Sequence, residues 1–135
     1  MCSSDLRLVS KWHFAHVNTE EYAINNIANI KSLPRVEIVV NHAGADGAMV
    51  DALRLQAEAG YADPVRGIVV AGTGNGTVHK ALEAALLRAQ AAGIKVVVAS
   101  RCPLGRVLPT PGGLWPDSEG LSPVKARIAL MLSLL

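Results

Sequence analysis

Three short apolar runs separated by two helical patterns restrict the fold more than any other feature of the sequence. The runs are VEIVV at 36–40, GIVVA at 67–71 and IKVVVA at 94–99. Short runs rich in β-branched residues are typical of strands buried on both faces. Strands that alternate with helices pair in parallel through right-handed crossovers. We therefore predict an α/β fold, a small three-layer domain with a parallel sheet of three to four strands flanked by helices.

The first intervening segment has the pattern of an amphipathic helix. Asp46 is a candidate N-cap, and Gly60 lies where a C′ glycine would end the helix. Val50, Leu53 and Ala57 recur on one helical face, which we expect to pack against the sheet.

The second intervening segment predicts a helix over residues 77–92 that ends before Gly93. Its predicted buried face consists of Val78, Leu82, Ala85 and Ala89.

A last helix is expected at the end of the chain. Ser122 would cap it, and Pro123 would occupy its first position, where the missing N–H has no cost. The predicted buried stripe consists of Val124, Ile128, Met131 and Leu135. Because this stripe reaches the final residue without a cap, a glycine or a polar tail, we expect the chain to be truncated there.

Two segments lack a clear period. Residues 1–33 form a connecting arm, with at most a helical turn around 20–30, and the domain proper covers 34–135. Residues 100–121 form a connection rich in proline and glycine, with a short edge strand expected near 106–108.

Composition excludes several classes of protein. A net charge of +2 with interspersed signs gives no basic face, so no nucleic-acid partner is expected. No stretch reaches the roughly 18 apolar residues of a membrane span, so no membrane partner is expected either. The first eight residues lack the order of a signal peptide. Cys2 and Cys102 neither demand nor exclude a disulfide bond, so the redox compartment stays open.

Ligands of open parallel sheets bind beyond the carboxyl ends of the strands. In this sequence, the loops that follow those ends are residues 41–46, 72–77 and 100–105. The second loop, GTGNGT, combines three glycines with a predicted helix start, where free N–H groups can receive a ligand. Thr77 would present its hydroxyl there. In the alternative interpretation, Thr77 or Asn75 merely caps the helix. The G-x-G-x-G spacing does not fit a dinucleotide loop.

The other polar candidates predict less chemistry. His13 and His16 have no accompanying ligands, so no metal site is expected. A hydrogen-bonded structural role is favoured for His42, and His79 falls in the first turn of its predicted helix. Ser100 and Arg101 could bind an anion, although a structural role as a hydrogen-bond donor is more common for an arginine at the position of Arg101. No Ser/His/Asp arrangement or paired carboxylate is present.

Four strings of the sequence resemble the C-terminal domain of the bacterial asparaginase/glutaminase family. They are LPRVEIVVNHAGADG, GIVVAGTGNGTVHKALEAAL, KVVVASR and GLSPVKARIALMLSLL, in the family's order and close to its spacing. The A-G-x-G-N-G motif followed by a helix is typical of the type II-like members. The arm is only loosely similar to the family's interdomain linker, and MCSSDLRL has no counterpart there, so we interpret it as a partly non-native start.

The resemblance implies an amidohydrolase that converts L-asparagine to L-aspartate and ammonia without a cofactor. In that family the catalytic threonines lie in the larger N-terminal domain, so no catalytic residue is expected in this chain, and isolated it should be inactive. The resemblance also implies that the C-terminal domain contributes to the active site of a neighbouring subunit in a homotetramer. The contributing position matches Thr77, and Asn75, the secondary candidate, matches the motif's asparagine and is interpreted as shaping the loop.

The resemblance also implies an acidic site residue after the third strand. Asp117 and Glu119 are the candidates, and neither aligns, so preference between asparagine and glutamine stays open. The compartment, periplasmic or cytoplasmic, also stays open, although the type II-like motif favours export. A different class of function, a stand-alone α/β module that binds or senses a small ligand at residues 72–77, is the alternative.

Overall fold

The computed structural model describes residues 30–108 and 112–135. The chain divides into a unit of residues 1–31 and a unit of residues 32–135, and all but residues 109–111 of the second unit are described. Residues 1–29 of the arm, which include the His13/His16 pair and nearly all of the helical turn expected around 20–30, therefore lie outside the described residues.

The described unit alternates strands and helices in the predicted order. Its elements are β1 (Arg35–Val40), α1 (Ala48–Glu58), β2 (Val65–Gly72), α2 (Lys80–Ala91), β3 (Lys95–Ser100) and α3 (Pro123–Ser133). The strands form a sheet in the order β1-β2-β3, with both pairs parallel. Ile68, for example, lies between Glu37 and Val96. The α/β prediction is confirmed, with the strand bounds moved by one or two residues.

Two apolar clusters lie on opposite faces of the sheet, because successive residues of a strand point to opposite sides. Ile68 and Val70 belong to the cluster that α1 and α2 cover, whereas Val69 belongs to the cluster that α3 covers. The side chains of Leu82 and Leu86 on α2 are almost completely buried in the first cluster. Helices therefore cover both faces of the sheet, which gives three layers, and the connecting loops lie at its carboxyl edge.

The starts of α1 and α2 differ from the predictions, whereas α3 starts as predicted, with Ser122 as its N-cap and Pro123 at its first position. The N-cap of α1 is Gly47 and not Asp46, although Asp46 Oδ1 accepts a bond from Ala48 N–H at 3.0 Å. The predicted start of α2 at Thr77 is wrong, because α2 begins at Lys80 with His79 as its N-cap. The C′ glycines are confirmed, with φ +75° at Gly60 and +89° at Gly93 (both following helix C-caps).

The predicted buried stripe of α3 is wrong except for Met131. Val124, Ile128 and Leu135 are 66%, 48% and 52% exposed. The buried residues are Ala126, Leu130 and Met131. The helix carries apolar residues on several faces, so their spacing alone does not show which face is buried. The buried face is the one that places Leu130 against Gly67 of the sheet, where a Cβ would lie 2.8 Å from Leu130 Cδ2.

The predicted edge strand near 106–108 is also wrong. These residues form no strand, and Val107 instead packs into the larger cluster. An isolated bridge at Asp117 borders β3: Val98 N–H donates to the Pro116 carbonyl at 3.0 Å, and Ser118 N–H donates to the Val98 carbonyl at 2.8 Å. The described sheet thus has three strands. In this part of the chain no helix is long and apolar enough to cross a membrane.

Candidate functional site

The glycine-rich loop closes on itself at the carboxyl end of β2. Thr73 N–H donates to the Thr77 carbonyl at 3.1 Å, and Thr77 N–H donates to the Thr73 carbonyl at 2.9 Å. A Cβ at Gly72 would lie 2.7 Å from the carbonyl carbon of Gly76, and Gly76 has φ +82°. The loop therefore needs glycine for close backbone approach and for a left-handed conformation. Residues 73–77 form this pairing instead of a helical turn.

β1 contacts the loop through Asn41, which is 6% exposed. Its Nδ2 donates to the Thr77 carbonyl at 3.1 Å, and its Oδ1 accepts from His79 N–H at 2.8 Å. The backbone N–H of Asn41 donates to the Ala71 carbonyl at 3.0 Å. One buried carboxamide thus connects β1 to the segment between the loop and α2.

β3 contacts the other side of the loop through Ser100, which is 5% exposed. Its hydroxyl donates to the Gly74 carbonyl at 2.8 Å and accepts from Cys102 N–H at 3.2 Å. The backbone N–H of Arg101 donates to the Gly72 carbonyl at 2.8 Å. The loop is therefore held from both neighbouring strands.

Asn75 connects the loop to the long connection after β3. Its Oδ1 accepts from Leu108 N–H at 2.5 Å, so this carboxamide oxygen has a structural partner. Neither Asn75 nor Thr77 caps α2, because the imidazole Nδ1 of His79 accepts from Ala81 N–H at 3.3 Å. The alternative interpretation of these two residues as helix caps is wrong.

A cavity of about 500 Å³ opens beside the loop. Its wall includes Asn75 and Thr77 from the loop, Glu83 from α2, and Trp115 and Asp117 from the connection to α3. Trp115 is held in place by a bond from its Nε1 to Gln90 Oε1 at 2.9 Å. The bridge at Val98 holds Asp117 beside β3. The cavity thus combines the hydroxyl of Thr77 with carboxylates, a set that suits a small ligand bearing an ammonium group.

Glu119 does not line this cavity. It lies in an exposed turn with φ +54°, and its N–H donates to Asp117 Oδ1 at 2.6 Å. Of the two acidic candidates from the sequence, only Asp117 is brought together with Thr77.

The remaining candidates lie away from the cavity wall. His42 is exposed, and its Nδ1 accepts from Gly44 N–H at 3.2 Å, which is the structural role that the sequence favoured. Arg101 is exposed and contacts the loop through its backbone. Cys102 is an exposed free thiol whose pKa is lowered, chiefly by a hydrogen bond to the Gly74 backbone and then by the Ser100 hydroxyl. The described residues contain no group of side chains that could hold a metal ion.

Sequence reasoning missed Asn41 and assigned no loop contact to Ser100. Each polar residue lies at the carboxyl end of a buried apolar run, Asn41 directly after β1 and Ser100 as the last residue of β3. In a parallel sheet such residues lie beside the loop that follows the neighbouring strand. Their position at a strand end was therefore the signal in the sequence that they could contact the loop.

The fold and the loop define a class, a three-layer α/β domain whose glycine-rich loop borders a cavity at the carboxyl edge of a parallel sheet. Residues 35–135 match the model of the Glutaminase/Asparaginase C-terminal domain. The chain belongs to this family, as its resemblance indicated.

Several relatives have named activities. The chain is 35% identical over 116 residues to L-asparaginase 2 of Escherichia coli (strain K12), covering 81% of this chain and 31% of the relative. It is 33% identical over 115 residues to Glutaminase-asparaginase of Pseudomonas fluorescens biotype A, covering 81% and 30%. The chain therefore spans less than a third of the length of these relatives.

A solved structure supports the same assignment. The crystal structure of a probable cytoplasmic L-asparaginase from Campylobacter jejuni matches with a TM-score of 0.70 and 34% identity. The match covers 80% of this chain and 32% of that one. The α/β fold is therefore that of the corresponding part of an asparaginase.

Proposed function

We propose that residues 34–135 are the C-terminal domain of an amidohydrolase that converts L-asparagine to L-aspartate and ammonia. Family membership supports the reaction class. The observation that carries the proposal in this chain is the position of Thr77, exposed at the end of a hydrogen-bonded loop and on the wall of the cavity.

Thr77 is available to a ligand. Its backbone is fixed by the pairing with Thr73 and by Asn41. Within the described residues its hydroxyl makes no hydrogen bond, and the residue is exposed. A fixed backbone with a free hydroxyl can bind a substrate with little loss of conformational entropy. We assign Thr77 as a substrate-binding residue and Asn75 as a residue that mainly shapes the loop.

Asp117 is the better of the two acidic candidates. It lines the cavity together with Thr77, whereas Glu119 does not. A carboxylate at this place can pair with the α-ammonium group of an amino-acid substrate through a charge-assisted hydrogen bond. The preference between asparagine and glutamine would then depend on the rest of the site.

We propose that the described residues of the domain do not supply the nucleophile. An activated threonine needs a neighbouring base, and in the described residues the hydroxyl of Thr73 donates only to the Thr77 carbonyl, at 3.4 Å. We propose that the site is completed by an N-terminal domain of a neighbouring subunit in a homo-oligomer, a tetramer by family resemblance. The exposed side chains of Val124 and Ile128 on α3 support burial against another domain or subunit.

An ammonia-release assay tests whether the nucleophile comes from another domain. The purified chain should release no ammonia from L-asparagine, because among the described residues that line the cavity the Thr77 hydroxyl has no hydrogen-bonded base to activate it. Asparagine hydrolysis that follows this chain through purification would contradict the proposal.

Ligand titration tests the alternative function. A self-sufficient sensor module should bind its ligand tightly, whereas a partial site should bind L-aspartate weakly and nucleotides not at all. Tight binding of a nucleotide would overturn the asparaginase proposal. The comparisons do not favour this alternative, since the named relatives are asparaginases.

A further inference from the structure

We propose that Asn41 is a positioning residue that sets the orientation of Thr77 toward the cavity. The inference rests on the proposed function, because only substrate binding by Thr77 gives the orientation of its side chain a role. The contacts that support it are independent of that function.

The two partners of the Asn41 side chain determine which way its carboxamide points. Thr77 offers a carbonyl, which needs a donor, and His79 offers an N–H, which needs an acceptor. A carboxamide supplies a donor and an acceptor side by side, which an ionised carboxylate cannot do. Aspartate would keep the acceptor and lose the donor, and alanine would lose both.

These two bonds constrain the backbone on either side of Val78. The Thr77 carbonyl also accepts from the Thr73 N–H, so it is held by the loop and by β1 together. Rotating the peptide after Thr77 would break the bond to Asn41 and leave a buried carboxamide unsatisfied. The backbone conformation of Thr77 limits which χ1 rotamers its side chain can adopt, so this restraint extends to the hydroxyl.

Asn41 is itself buried and bonded to the sheet. It is 6% exposed, it follows β1 directly, and its N–H continues the ladder by donating to the Ala71 carbonyl. The backbone of Thr77 is therefore fixed relative to the sheet, and not only by contacts within the glycine-rich loop.

The test is an NMR comparison of the full chain with Asn41→Asp, Asn41→Ala and the control His42→Ala. His42 follows Asn41 in the chain and bonds only within its own loop, to Gly44. Three-bond couplings across χ1 of Thr77 should report one rotamer in the native chain and in His42→Ala. They should report averaged rotamers in Asn41→Asp.

Hydrogen exchange separates the two bonds of the carboxamide. The His79 amide should stay protected in Asn41→Asp, which keeps the acceptor. It should exchange about tenfold faster in Asn41→Ala, the factor expected for losing one hydrogen bond. An unchanged Thr77 rotamer in a folded Asn41→Asp chain would overturn the proposal.

A measurement on the native chain covers the case in which the substitutions prevent folding. The side-chain amide protons of Asn41 should exchange slowly, as expected for a buried donor bonded to a carbonyl. Rapid exchange would overturn the proposal without any variant.

Addition of L-aspartate distinguishes this inference from the proposed function. Chemical-shift changes at Thr77 in the native chain would support the proposed function. An apparent affinity for L-aspartate that is roughly two- to tenfold weaker in Asn41→Asp would support the positioning role as well. Equal affinities of the two chains would contradict the positioning role and leave the proposed function intact. An absence of shifts in the native chain, together with averaged Thr77 rotamers in Asn41→Asp, would contradict the proposed function and leave the positioning role intact.

Discussion

Thr77 and Asp117 line the same cavity, although a helix and a strand separate them in the chain. Thr77 reaches the cavity through the loop after β2, and Asp117 reaches it because its flanking residues bond to Val98 of β3. The parallel sheet thus places a hydroxyl and a carboxylate beside one space that neither local sequence could define.

Asp117→Asn should weaken binding of L-aspartate at least about threefold, because it removes a charge-assisted hydrogen bond to the ammonium group. Glu119→Gln is the matched control, since it removes the same charge from a neighbouring residue outside the cavity. Isothermal titration at low ionic strength measures both. Equal losses in the two variants would indicate a general charge effect and contradict a specific role for Asp117.

Gly76→Ala should lower the free energy of unfolding by about 1–3 kcal/mol or more, through backbone strain and a steric clash. Gly76 has φ +82°, and a Cβ there would lie 2.6 Å from Val98 Cγ1. Gly60→Ala is the control, because Gly60 has φ +75° with nothing within 4 Å of an added Cβ. Urea unfolding should therefore show a larger loss for Gly76→Ala. Equal losses would mean that the loop does not pack as described.

Leu86→Ala should destabilise the domain by about 2–5 kcal/mol, because it leaves a cavity between α2 and the sheet. Leu86 is 0% exposed, whereas its neighbour Leu87 is 40% exposed. Leu87→Ala should change stability by about 0.5 kcal/mol or less by contrast. Chemical denaturation of both variants measures the difference, and similar losses would contradict the assigned face of α2.

The ion pair between Asp51 and Arg88 should make a small, pH-dependent contribution to stability. Arg88 Nη2 lies 2.6 Å from Asp51 Oδ2, and the bond to Arg88 lowers the pKa of Asp51 below its usual 3.8. A lowered pKa in the folded state stabilises the protein above the pKa of the unfolded state. That stabilisation is lost as pH falls through the folded value.

A double-mutant cycle with Asp51→Asn and Arg88→Gln measures this contribution. The coupling free energy should be positive at pH 7, smaller in high salt, and absent well below pH 3.8. A coupling that persists unchanged in strong acid would show that the carboxylate is not its source.

The strands could be predicted from the sequence because a parallel strand buried on both faces needs a continuous β-branched run, and VEIVV and GIVVA have that pattern. The face of α3 could not be predicted, because apolar residues surround that helix. Its orientation depends on the space that Gly67 leaves for Leu130. Such a contact joins distant parts of the chain and leaves no local pattern.

The site was only partly predictable for a similar reason. The glycines of the loop and Thr77 could be singled out locally, but the start of α2 was placed too early because residues 73–77 pair with one another. The bonds from Asn41 and the proximity of Asp117 arise only after the sheet has assembled. A polar residue at a strand end indicates that such a contact is formed, but the sequence does not show with which residue.

The central claim is that this domain contributes Thr77 to an asparaginase active site, and a domain exchange tests it most directly. Residues 35–135 would replace the matched part of L-asparaginase 2 of Escherichia coli, with folding and assembly checked by circular dichroism and size-exclusion chromatography. The account predicts asparagine hydrolysis by the chimera, and a KM raised roughly two- to tenfold by Thr77→Ala but not by Leu87→Ala. A folded, assembled chimera without hydrolysis, or with a KM unaffected by Thr77→Ala, would contradict it.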